Sequence, residues 1–377
     1  MSTTLQRSSE RLRPRLLPGW QLEPAREAWA AVAARVPRVP VAVSWPWTVT
    51  WLAHYGDVTS PFWVVVDDER GPCAVALVTR TTIRRGPFAI RCLHLGTAGE
   101  PPGESVCVEH NALLCDPARA PEAAGTLAEL LAGMPDWDEL RIDGTGDDQL
   151  ARAVAAAIPR SRLEVDRRPL AVHDLRAGRE RPVVDALRAG PRRRVRASLR
   201  RFAEIGPLAV DAPADGVAAS AVLSELADLH QRRWTAAGAA GAYASPRFRG
   251  FHHALAEQLV PQGRAVVLRV RAGARTVGCL SLLIDGDRAL FVQSGLERFD
   301  DHRLRPGLVA HVVAMEHLRE RGCGCYDFLA GEHRYKRELA TGEETLSWST
   351  VQRPRVRLRL LRFARAVRDR WRRSRGA

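Results

Sequence analysis

The feature that most limits what this chain can become is an order of elements that occurs twice. In the first half, apolar runs short enough for buried strands fall at residues 62–66, 73–81 and 90–95. Helical spacing follows at 117–134, then a strand at 139–142, a helix at 148–158 and a strand at 170–175. The second half has strands at 265–270, 276–284 and 289–294, a helix at 307–321, a strand at 325–329, a short helix at 333–339 and a closing strand at 346–352. Asp285-Gly286 is a two-residue hairpin signal, and Ala272-Gly273 marks another turn. Helices are also predicted at 24–36, 221–234 and 248–259. Two like units are therefore expected, each a mixed β-sheet flanked by helices, in an α+β (mixed α/β) class. A length of 377 residues accommodates two such domains.

Within the second copy, residues 326–339 read Tyr-Asp-Phe-Leu-Ala-Gly-Glu-His-Arg-Tyr-Lys-Arg-Glu-Leu. A buried strand is broken at Gly331, and a charged helix start follows. Lys336 is the sole lysine among 57 Lys and Arg residues. A chain that otherwise writes arginine keeps one compact ammonium here, by chance or because a planar guanidinium has the wrong geometry.

Tyr326-Asp327-Phe328-Leu329-x-Gly331 followed by Tyr335-Lys336 resembles the closing motif of CelD-like acyltransferases, relatives of the FemAB peptidoglycan-bridge transferases in the GNAT superfamily. Further matches are Trp45-Pro46-Trp47 with Trp51 through Gly56, the basic segment 188–201, Leu229 through Trp234, and Phe299 through Leu308. Together they span residues 40–340 in family order. The resemblance implies tandem GNAT-like domains and N-acylation of an amine by an acyl-CoA thioester, acetyl-CoA or longer, without a metal. The expected acceptor is a small-molecule or glycan amine, in cell-envelope or exopolysaccharide biosynthesis. An aminoacyl-tRNA-dependent transferase of FemAB type and a non-catalytic membrane-associated scaffold are the alternatives.

Boundaries follow from composition and punctuation: a polar leader at 1–22, a first GNAT-like domain at 23–176 without catalysis, a basic helical connector at 177–206, the catalytic domain at 207–352 and an Arg-rich tail at 353–377. Segment 101–150 is acidic with few reactive candidates, so the chemistry is placed in the second half. No signal peptide or membrane span is evident, and seven cysteines without Cys-x-x-Cys spacing predict reduced thiols, hence a cytoplasmic protein. Trp45, Trp47 and Trp51 are expected in the core. Serine-hydrolase elbows, zinc-protease helices and Walker loops are missing, which counts against serine hydrolases, zinc proteases and P-loop kinases but not against direct acyl transfer.

Site candidates combine residue chemistry with the resemblance. Arg303, Arg305, Gly307 and Leu308 surround Pro306 at a helix start, where free amides and the helix dipole suit an anionic donor. Acetyl-CoA enzymes of the superfamily have a richer Arg-x-x-Gly-x-Gly loop, so the donor stays open. By the same resemblance Lys336 stabilises negative charge on the donor phosphate or oxyanion, and Tyr335 protonates the leaving thiolate. Asp327 orients or deprotonates the amine, or else pairs with an arginine. His230, Arg233 and Trp234 flank the acceptor cleft, with His230 a base or a cleft-wall residue. His252-His253 lacks metal spacing, and Cys323-Gly324-Cys325 reads as a strand start.

The net charge of +14 is local: residues 353–377 carry +10, residues 183–205 carry +5, and the remaining body is close to neutral. Helix 188–201 has Val195, Leu199 and Phe202 among seven arginines; coenzyme A phosphates, a polyanionic acceptor, tRNA or water are its possible partners. In the tail, Val356, Leu360, Ala364, Val367 and Trp371 form a stripe among arginines. That pattern suits an anionic membrane surface, which would make the protein peripheral at the inner membrane face; docking on the protein's own body and nucleic acid are the competitors.

Overall fold

The computed structural model describes residues 12–178 and 180–375, with side chains described as far as 368. Residues 1–11 of the expected leader and the Trp371 side chain lie outside this set. The first half contains β1 (Arg13–Pro18), α1 (Leu22–Ala33), α2 (Trp45–Tyr55), β2 (Phe62–Asp68), β3 (Gly71–Arg85), β4 (Phe88–Leu95), β5 (Leu114–Cys115), α3 (Ala120–Gly133), β6 (Glu139–Thr145), α4 (Gln149–Ala157) and β7 (Arg162–Asp174). After the connecting α5 (Ala189–Ile205) come β8 (Leu208–Asp211), α6 (Gly216–Ala236), α7 (Pro246–Leu259), β9 (Ala265–Ala272), β10 (Arg275–Asp285), β11 (Arg288–Leu296), α8 (Pro306–Glu320), β12 (Cys325–Ala330), α9 (Arg334–Leu339), β13 (Gly342–Gln352) and α10 (Val356–Arg375).

The expected order of elements is present, and the class is mixed α/β. Two details differ. Part of the expected leader is strand β1, which pairs antiparallel with β2 from Arg13↔Asp67 to Pro18↔Phe62. Its prolines and arginines hide the alternation on which strand prediction depends, and an edge position tolerates them. Short β8, equally weak in pattern, closes the opposite edge on β9.

Among the described residues all strands join one sheet in the order β1-β2-β3-β4-β6-β13-β7-β12-β11-β10-β9-β8, with β5 beside β3. The two halves thus exchange their last strands. β7 pairs with β12, and β13 pairs with β6, while the two exchanged strands pair with each other from Gly342↔Val172 to Gln352↔Arg162. Local patterning cannot reveal this, because a strand buried in either half carries the same alternation.

Helices cover both faces. On one, Leu93, Leu95, Leu140 and Val351 pack with α3 and α4, and in the other half α5 and α8 pack over Leu268, Val270 and Leu280. On the opposite, inner face α1 and α2 meet α6 and α7 in a core shared by both halves. Trp47 and Trp51 are buried there, Trp47 edge-on to Phe251 at 5.1 Å between ring centroids, and Trp45 stacks on Trp63 at 5.8 Å. Helix α5 docks through Val195, Ser198 and Phe202 at spacings of three and four residues, one side of a helix. Of its arginines, Arg193, Arg196 and Arg200 are exposed, while Arg194 pairs with Glu338 of α9 at 3.0 Å and Arg201 with Asp301 at 3.3 Å.

Candidate active site

Parallel strands β11 and β12 pair only from Arg288↔Cys325 to Leu290↔Asp327 and then part. The wedge opens into a cleft of about 1570 Å³, lined on one side by Val292 to Ser294 with Leu296 and on the other by Phe328 to Ala330. Helix α8 starts at its rim. Pro306 occupies its first turn, where the missing amide costs nothing, and no side chain caps the end. Arg305, Gly307 and Leu308 line the cleft, and the Arg305 amide is taken by Ser198 Oγ of α5 at 3.0 Å. Arg303 departs from the expected donor site: its guanidinium pairs with Asp301 at 2.9 Å and does not line the cleft.

Lys336 and Tyr335 line this same cleft from α9. The Lys336 side chain is buried, and Nζ donates to Ala330 O at 2.7 Å and Leu329 O at 3.1 Å. Two of the three donors of an ammonium are thereby used, leaving one for a ligand. Burial presses its pKa below the ordinary lysine value, opposed by Glu109 and Asp327. The two carbonyls turn towards Nζ because β12 bulges against β7 between Asp327 and Ala330, with Leu329 at φ 58°. Asp327 sets the bulge by accepting from Leu329 N at 2.7 Å, an Asx turn.

Asp327 itself does not reach the cleft. Its carboxylate is fully buried and accepts from Arg288 at 2.8 Å and from His110 Nε2 at 2.9 Å. Burial alone would raise its pKa, but His110, Arg288 and the Leu329 amide outweigh that and hold it below the usual carboxylate range. The pairing alternative describes it; contact with an acceptor amine does not.

Segment 103–109 brings in what the sequence had assigned away from the chemistry. Glu109 lines the cleft and accepts from Ala330 N at 2.7 Å, on the same bulge whose carbonyls hold Lys336. Burial raises its pKa, against the lowering effect of the Ala330 hydrogen bond and of Lys336. His110 meets its partner across 217 residues. Cys107 and His110 adopt φ of 54° and 55°, a conformation with no sequence signal in non-glycine residues.

Tyr335 stacks on His311 with ring centroids 5.2 Å apart, and His311 Nδ1 meets the Tyr326 hydroxyl at 2.7 Å. Burial drives the His311 pKa down to about 3, so this cleft-lining ring is neutral, and pushes Tyr335 up to about 12, so the phenol keeps its proton at neutral pH. His311 was not singled out by sequence, since a histidine on an apolar helix face has the pattern of core. Across the cleft stand His230, Arg233 and Trp234 of α6. His230 is buried edge-on to Tyr243 at 5.2 Å, and burial lowers its pKa. No group of three or more potential metal ligands occurs among the described residues, where all seven cysteines are free.

The cleft thus combines a splayed parallel strand pair, an uncapped helix start and a charged wedge. Residues 190–337 match the family model described as acetyltransferase (GNAT) domain. No curated protein matches in sequence. Among solved structures, FemX is similar at TM-score 0.55 and 12% identity, over 86% of this chain and 95% of FemX. The C-terminal domain of a putative lysylphosphatidylglycerol synthetase from Agrobacterium fabrum gives 0.52 and 14%, covering 88% and 92% of the two chains. L-PGS from Bacillus licheniformis gives 0.50 and 10%, with the same coverages. Residues 190–337 are thus matched by a GNAT acetyltransferase model, and the chain as a whole shares its fold with FemX and with the lysylphosphatidylglycerol synthetase domain.

Proposed function

We propose that the protein transfers an acyl group from an acyl-CoA thioester to an amine. The observation that carries this reading is the meeting, in one cleft, of the uncapped α8 start with Lys336. The Gly307 and Leu308 amides and Arg305 receive the donor's pyrophosphate. The amide-bearing arm of the donor enters between β11 and β12, where parted strands leave backbone groups unpaired. The amine nitrogen attacks the thioester carbonyl and the C–S bond breaks as the C–N bond forms. Lys336 places its remaining N–H on the developing oxyanion. Glu109 accepts the amine proton, in the role first considered for Asp327, and the protonated Tyr335 donates to the departing sulfur.

The test is direct: coenzyme A binding by calorimetry, and thiol release from acetyl-CoA and longer acyl-CoAs with a panel of amines. Absence of both would end the proposal. Helix α5 supports a second reading, an aminoacyl-tRNA donor, because Arg193, Arg196 and Arg200 are exposed on one basic helix beside α8. RNase-sensitive donor activity would select it.

The Glu109 assignment makes its own prediction. Glu109→Gln is expected to lower kcat about 10²-fold, the lower part of the range for a general base. Because burial raises the Glu109 pKa, the acid limb of the wild-type kcat/KM profile should lie above the ordinary glutamate value. Activity rises as pH climbs through it, and the limb should vanish in the variant. An unchanged limb would reassign the base.

The tail supports peripheral attachment to an anionic membrane. No described helix is long and apolar enough to cross a membrane. Helix α10 docks on the body through Leu358, buried against Ile90 and Cys92, with Leu361 partly buried beside it. Own-body docking and an outward apolar stripe are therefore both present, on opposite faces. Val356 is 70% exposed, Phe363 71%, and Leu360 and Val367 50% each. Phe363 extends the stripe read from the sequence. Arg359 and Arg365 are exposed beside it. One similar structure is the C-terminal domain of a putative lysylphosphatidylglycerol synthetase, whose lipid product agrees with work at a bilayer. Replacing Leu360 and Phe363 by serine should abolish sedimentation with phosphatidylglycerol vesicles while leaving the unfolding midpoint nearly unchanged, because both side chains are exposed. Undiminished sedimentation would refute the attachment.

A further inference from the structure

Beside the cleft, on the inner sheet face, lies a second cavity of about 910 Å³. Its floor crosses β3, β4, β6, β13 and β7 through Thr81, His94, Asp143, Asp166 and Trp348, and segment 98–109 forms its wall. Strand alternation explains the floor: Leu93 and Leu95 point into the α3/α4 core, so His94 between them faces inward. The two cavities share Gly103, Ser105, Cys107 and Glu109, and so meet at the residue proposed to take the amine proton.

Their charges are opposite. Six cations and three carboxylates line the cleft around Lys336. The trough has five carboxylates, Glu100, Glu109, Asp143, Glu164 and Asp166, against Arg141 and Arg168. Two groups in it lack partners. The Asp143 carboxylate makes no hydrogen bond or ion pair among the described residues, and burial raises its pKa. His94 is 4% exposed; its Nε2 meets Thr81 Oγ1 at 2.9 Å while Nδ1 has no partner. Burial holds the His94 pKa down at about 3, so the ring is neutral. In the tautomer that donates Nε2–H to Thr81, Nδ1 accepts from an N–H donor.

We propose that this trough is the acceptor site and takes a primary amine carrying a further positive charge, whose reactive nitrogen reaches Glu109 while the anionic donor fills the cleft. The assignment rests on the acyl-transfer reading, with which it shares Glu109. It explains how two substrates of opposite charge approach one carbonyl from separate sides without competing for one entrance.

Calorimetry with spermidine as probe, beside coenzyme A, tests it on the full chain. Wild-type protein should bind spermidine, and Asp143→Asn combined with Asp166→Asn should weaken that binding by roughly tenfold or more as two attractive charges are removed. Coenzyme A binding should stay unchanged in that variant. Glu122→Gln with Glu129→Gln, an equal charge change on exposed α3, should affect neither ligand. Should the double trough variant fail to fold, Asp166→Asn alone, at the exposed rim, serves the same comparison. No spermidine binding by the wild type, or equal affinity in the trough variant, overturns the site. Loss of coenzyme A binding alone removes the donor reading and leaves the trough standing.

Discussion

Lys336→Met is expected to lower kcat for acyl transfer by about 10³-fold, as when a preorganised charge donor is removed from an oxyanion. Methionine retains most of the apolar stem, so the packing of α9 against the bulge is largely kept. Leu329 O and Ala330 O, however, lose the donor that now sits at 3.1 and 2.7 Å. Leaving those carbonyls unpaired costs about 1–3 kcal/mol of stability. Kinetics must therefore be measured well below the variant's unfolding midpoint. Lys336→Arg should fail to restore turnover, because the longer, bulkier planar guanidinium does not fit the buried position of the compact ammonium or aim its donors as that group does. The kcat/KM split separates the roles: an oxyanion contact lowers kcat, whereas a phosphate contact weakens coenzyme A binding. Full turnover in either variant would remove Lys336 from the mechanism.

Asp327→Asn should destabilise the protein by about 3 kcal/mol at neutral pH, the lower end for breaking a buried pair. The substitution keeps the shape but leaves Arg288, which retains Glu344 at 2.7 Å, without its buried counter-charge. It also weakens the His110 tie between the halves and the turn that positions the Lys336 carbonyls. Sign follows from linkage. The folded-state pKa lies below the unfolded value, so the stabilisation is fully present above about pH 4 and is lost as pH falls through the depressed folded pKa. Urea unfolding at pH 7 and near pH 3 should show the wild-type advantage shrinking in acid. A gap that is absent at pH 7, or that widens in acid, would contradict the assignment of Asp327 as the buried counter-charge.

How much of the site could be read beforehand depended on distance along the chain. Tyr335, Lys336 and the Arg305 to Leu308 helix start are local, each marked by an unusual residue or a helix-start signal. Asp327 was visible as a carboxylate near a strand end, yet its role turned on Arg288 and His110, which no spacing links to it. Arg303 looked equivalent to Arg305, and only the turn at Asp301 separates them. Glu109 was invisible for a further reason: its segment has no period, and its backbone uses φ values that ordinary residues adopt only when tertiary contacts impose them.

From residue order alone came the doubled succession of elements, the mixed α/β class, the tryptophan core, the basic helix between the halves and the amphipathic tail. These are consequences of side-chain periodicity, which each segment carries within itself. Tertiary structure decided the exchange of β7 and β13, the joining of Glu109 and His110 to the Lys336 bulge, the face on which α10 docks, and the opposite charges of the two adjoining cavities. Each of those requires groups distant in sequence to find complementary partners in a low-dielectric interior, and pairwise geometry of that kind is not encoded in any window short enough to be read as a pattern.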